Sequence, residues 1–111
     1  MEFPRLLALM ERDAERIKLF VEGVSDDQAR WKPNPESWSI LEVTCHLGDE
    51  EREDFRTRLD IILHRPEAPW PPIDPREWVA ERKYNERDLG GSLASFLSER
   101  RASLEWLRGL G

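Results

Sequence analysis

The sequence predicts an all-α protein: an up-and-down bundle of three long helices with a short connecting helix, completed by dimerisation. Three observations predict it. Apolar residues recur at helical spacing in three long segments, cap and stop residues bracket those segments, and no stretch shows the alternation of a half-buried strand. The first segment places Phe3, Leu6, Leu7, Met10, Ala14, Ile17, Val21 and Val24 at that spacing. Pro4 is acceptable in a first helical turn and Gly23 is a natural stop, so the first helix is expected from Pro4 to Glu22.

Ser25 to Arg30 is polar and suits one short capped turn, after which Trp31-Lys32-Pro33-Asn34-Pro35 opposes helix with two prolines. Ser39-Ile40-Leu41-Glu42 reads as a capping box, the Ser hydroxyl accepting from an orphan N–H while Glu42 reaches back to the cap. From there Ile40, Val43, Thr44, Leu47, Phe55, Leu59 and Ile62 form one apolar arc, and nothing breaks the second long helix before Pro66. Such a helix is roughly 35–40 Å long, a length that suits a bundle. Arg65 to Pro72 is a proline-rich loop, and Asp74-Pro75-Arg76-Glu77 repeats the logic of cap, N1 proline and acid, predicting a short helix that carries Trp78 and Val79.

Asp88 can cap the last long helix, whose Leu89, Leu93, Leu97, Arg100, Leu104 and Leu107 share one side. Phe96, Trp106 and Leu110 widen that apolar arc beyond what two neighbouring helices cover. This predicts a helix from another chain, a homodimer being the simplest closed solution, with those three residues at the interface.

A length of 111 residues allows one domain, residues 1–111. Asp and Glu number 23 against 17 Lys and Arg, a net charge of −6, so the average field repels phosphate backbones and anionic lipid. Neither nucleic acid nor a membrane is an expected partner. No run approaches the ~20 apolar residues needed to cross a bilayer, and the start lacks the basic, then apolar, pattern of a signal peptide. Cys45 is the only cysteine, which excludes an intrachain disulfide and a Cys-rich zinc site and fits a reducing compartment. The cytoplasm is the expected location.

His46, Glu50 and Glu53 fall at i, i+4 and i+7 on the second long helix, and imidazole and carboxylates so spaced could line a divalent-metal site. In a chain with 23 acidic residues a lone histidine is more often structural, so both roles stay open. Glu51, Arg58 and Arg100 occupy apolar arcs, where a charge needs a partner. Arg100 is expected to pair with a carboxylate of the second long helix, Glu51 before Glu50. Trp31 and Trp38 flank the entry to that helix, where they close the core or roof a pocket. Cys45 and His46 diverge by about 100° and form no simple dyad. No phosphate-cradling glycine loop, His-Glu-x-x-His pair or Gly-x-Ser-x-Gly elbow is present.

The ordered run Trp31-Lys32-Pro33, Trp38-Ser39-Ile40-Leu41-Glu42-Val43 and His46-Leu47-Gly48-Asp49-Glu50 resembles the signature of the DinB/YfiT-like superfamily. Trp78, Arg82, Tyr84, Asp88-Leu89, Phe96 and Arg100 resemble that family's segment leading into its third helix. The resemblance implies a four-helix bundle, often dimeric, that binds a divalent metal such as zinc or nickel. One ligand is a histidine matched by His46, and a second pair lies on the last helix. It also implies, for some members, transferase or isomerase chemistry dependent on a small thiol. The sequence reaches Gly111 where a helix carrying the remaining ligands would be expected. Three functions are therefore in view: a shortened, catalytically silent interaction or structural relative; a metal-dependent, thiol-linked transferase or hydrolase with its site completed across a dimer; and a thiol-binding protein without that chemistry.

Overall fold

The computed structural model describes residues 3–110 and contains no strand among them. Helix α1 (Phe3–Glu22) ends at a turn in which the Gly23 N–H donates to the Phe20 carbonyl at 3.2 Å. The polar stretch after it forms α2 (Asp26–Arg30), nucleated by a capping box between Ser25 and Gln28. The expected Ser39–Glu42 capping box opens α3 (Ile40–Glu50). Here Glu42 is buried and its carboxylate meets the Lys32 ammonium at 3.0 Å, tying the proline loop to the start of the helix.

The chain then stays helical to His64, but not uniformly α-helical. Glu51–Arg56 forms a π-helical segment before α4 (Thr57–His64). The Thr57 hydroxyl donates to the Arg52 carbonyl five residues back, at 3.1 Å. An apolar arc drawn at a constant 100° per residue does not pass through a π segment unchanged. Phe55 and Ile62, both assigned to that arc, are accordingly exposed, while Ile61 is buried.

Helix α5 (Pro75–Glu81) has Asp74 as cap and Pro75 in its first turn, as the sequence predicts, and buries Trp78. Lys83 follows in the left-handed region at φ 51°, and a short 3₁₀ turn over Tyr84–Glu86 buries the Tyr84 ring completely. Asp88 then caps α6 (Leu89–Leu110) by accepting from the Gly91 N–H at 2.6 Å.

Helix α6 is the hub: it packs against both α3 and α1, whereas α1 and α3 barely touch. A helix with two neighbours on different sides buries a wide arc, which is why Leu89, Leu93, Phe96, Leu104 and Leu107 are all covered. This corrects the expectation for the α6 face. Phe96 is fully buried within the chain, and Trp106 packs on Leu7, Leu104 and Leu107; only Leu110 of that trio is exposed. One stretch of uncovered apolar surface lies between α1 and α3. Phe20 of α1 and Val43 of α3 are exposed there. Among the described residues, no helix is long and apolar enough to cross a membrane.

Candidate functional site

The cleft between α1 and α3 holds about 350 Å³ and is lined by Ile17, Phe20, Trp38, Ile40, Val43 and Leu47, among others. On α3 the lining residues follow i, i+3 and i+7, and His46 and Glu50 continue the Val43–Leu47 face three residues further on. The capping box fixes the first turn of α3 and thereby the level at which His46 emerges. Its ring sits edge-on to Trp38, with centroids 5.0 Å apart. Burial lowers its pKa from the ordinary histidine value, opposed by the charges of Asp49 and Asp54. The imidazole is thus biased toward the neutral form that ligates metals.

On α3, His46 Nδ1 and Glu50 Oε2 are buried with no hydrogen-bond partner, and further along the same side so is Arg58 Nε, which has only an ion pair with Asp54. Burial, followed by a hydrogen bond with Asp54 and that residue's charge, pushes the Glu50 carboxyl up to about 7. Asp54 in turn meets Arg58 Nε at 2.6 Å, and the Arg58 guanidinium lies 4.8 Å from the centre of the Trp70 ring. Residues 46, 50, 54 and 58 therefore make a polar line down one side of the helix. Asp54 is a member that sequence reasoning missed, although the same i+4 spacing points to it.

Glu53 does not join His46 and Glu50. Its carboxylate is held by Arg82, with Nη1 at 2.5 Å and Nη2 at 2.9 Å, and by Arg52 at 3.1 Å. Asp49 shares those arginines, accepting from Arg82 Nη1 at 2.7 Å, from Arg52 Nη2 at 3.1 Å and from the Tyr84 hydroxyl. Burial works to raise the Asp49 pKa, but the bonds from Tyr84 and Arg82 and the two guanidinium charges outweigh it and hold it below the usual range. Glu53 is also held low, chiefly by its bond to Arg82. Among the described residues no group of three or more His, Cys, Asp or Glu side chains is placed to hold a metal ion. His46 and Glu50 offer two free donor atoms, whereas a zinc site takes three or four protein ligands; they fit half of such a site.

The raised Glu50 carboxyl has a measurable consequence. As pH rises from about 4.5 to about 7, the unfolded chain ionises Glu50 while the folded protein still holds its proton, so folding stability falls across that window and levels off above it. Glu50→Gln removes this loss. In the presence of a chelator, the melting temperature of the variant relative to the parent is expected to climb through that window. A difference that stays constant with pH would show that Glu50 titrates normally.

Against known proteins, a family model described as the DinB superfamily matches residues 9–111. No curated protein and no solved structure matches the chain at a significant level.

Proposed function

Because the chain belongs to the DinB superfamily, whose model spans nearly all of it, we propose that it is an interaction or structural module carrying half of a divalent-metal site, and that it works as a homodimer. The observation that carries this reading is the open α1/α3 cleft. Three long helices, two of them packed on the hub α6, leave a fourth bundle position unfilled, and its lining is apolar at helical spacing. A helix of a second copy laid in that cleft would cover Phe20 and Val43, and the same contacts would repeat on both subunits.

A second reading is favoured by the unpartnered His46 Nδ1 and Glu50 Oε2: a metal-dependent, thiol-linked transferase or hydrolase whose ligand set is completed across the dimer. His46 and Glu50 would hold the ion from this side. Zinc, nickel or a similar divalent ion would supply Lewis-acid polarisation of a bound oxygen or sulfur. The polar line of His46 and Glu50, one turn beyond the Val43–Leu47 stretch that lines the cleft, would also fix the register of the incoming helix.

Sedimentation across a wide concentration range, with zinc and nickel titrations of tag-free protein, tests both readings. Dimerisation is expected in the parent, weakened at least about tenfold in Phe20→Glu and in Val43→Glu, since a charge buried at an apolar interface loses its hydration. Trp106→Glu is expected to leave association unchanged. A monomer at all concentrations overturns the dimer, and stoichiometric metal lost in His46→Ala places the enzyme reading ahead of the silent one.

A further inference from the structure

A larger cavity opens on another face of the molecule, apart from the α1/α3 cleft, between α3, the turn after α5 and the first half of α6. It holds about 600 Å³, within the roughly 300–1,000 Å³ usual for small-molecule sites. Small residues leave it hollow. Gly48 stands where α3 meets α6, a Cβ there lying in ordinary contact with the Phe96 backbone at 3.5 Å, and Gly91, Ser92 and Ser95 carry little bulk into the space. The Cys45 thiol forms part of the floor, 3.2 Å from the Ser92 hydroxyl.

Three arginines line the cavity, and they are not equivalent. Arg82 is matched by Asp49 and Glu53, and Arg52 by Asp49, Glu53 and Glu99. Those charges cancel locally and brace the wall. Arg87 makes no ion pair with any described residue, yet it is held in place at three points. Its carbonyl accepts from Arg30 Nη2 at 2.8 Å, its Nε donates to the Arg82 carbonyl at 3.2 Å, and its guanidinium lies 5.1 Å from the centre of the Tyr84 ring. Tyr84 is itself anchored by Asp49 and follows Lys83, which occupies the left-handed region. The two terminal nitrogens of Arg87 are left as a positioned, unneutralised fork at a cavity edge.

A guanidinium fork matches the paired oxygens of a carboxylate or phosphate, and positioning it beforehand removes part of the entropy loss on binding. The net charge of −6 opposes an anion at long range, but screening at physiological salt confines exposed charges to about 8 Å, so the Arg87 guanidinium and the Asp88 carboxylate set the field at the cavity mouth between them. At the mouth, Asp88 spends one carboxylate oxygen on the Gly91 N–H, leaving the other as an acceptor for a donor group on the same ligand. We propose that this cavity is a binding site for a small anionic molecule, with carboxylate or phosphate oxygens on Arg87 and a hydroxyl or amine facing Asp88. The proposal does not depend on the cleft, the dimer or the metal.

Calorimetric titrations with succinate, malate and inorganic phosphate test it. At least one probe is expected to saturate a single site below about 10 mM, with malate tighter than succinate if the donor meets Asp88, and phosphate separating the two anion classes. Arg87→Gln is expected to weaken binding at least about tenfold, and so is Ser95→Asp, which sets a carboxylate at the exposed mouth without touching Arg87. Arg101→Gln, an exposed control on α6, is expected to change nothing. No saturation by any probe, or an equal loss in Arg101→Gln, would overturn the proposal.

Discussion

Arg100→Met is expected to destabilise the protein by about 3–5 kcal/mol, the usual range for leaving one member of a buried ion pair without its partner. Arg100 Nε lies 2.8 Å from Glu51 Oε1 and Nη2 lies 3.2 Å from Oε2, and both side chains are largely covered. Nη1 donates to the Met10 carbonyl at 2.8 Å, so one guanidinium ties α6 to the π segment and to α1. Urea unfolding followed by circular dichroism measures the loss. Glu51→Gln/Arg100→Met is expected to lose less than the sum of the two single variants, because the second substitution removes the stranded charge left by the first. Strict additivity would mean that the pair contributes no coupling.

This pairing was legible in the sequence because an arginine on an apolar stripe must find a carboxylate, and Glu51 lay on the facing arc. Helix boundaries were legible for the same kind of local reason: Ser39 with Glu42, Asp74 with Pro75, and Asp88 each satisfy backbone groups within a few residues. His46 and Glu50 share one side of α3 because i, i+4 spacing is also local. What failed depended on distant chain. Glu53 fits a metal-facing position by periodicity, but Arg82, 29 residues away, takes its carboxylate. The π segment disturbs the downstream arc, and its marker, a threonine hydroxyl reaching five residues back, has no sequence signature of its own. The wide arc of α6 pointed to a helix from another chain, but α1 and α3 of the same chain cover most of it. Periodicity shows how many sides of a helix are apolar, not which sides the chain's own helices cover; here α1 and α3 both lie on α6.

Phe96→Ala distinguishes those arrangements with a large effect. The ring is fully buried, its backbone lies against Gly48 of α3, and Arg100 lies 5.4 Å from its centre. Truncating a buried phenylalanine removes transfer free energy and leaves a cavity, together about 3–5 kcal/mol. Neighbouring Leu41 and Leu93 sit on fixed helices, so the space cannot close without moving α3 against α6. The loss is expected in the urea midpoint of the parent and variant at low concentration, with no change in sedimentation beyond that from unfolded chain. Leu110→Ala, at an exposed position on the same helix, is expected to change stability by less than about 1 kcal/mol. If Phe96→Ala instead left stability nearly intact and abolished self-association, Phe96 would be an interface residue and α6 would not be the hub of the fold.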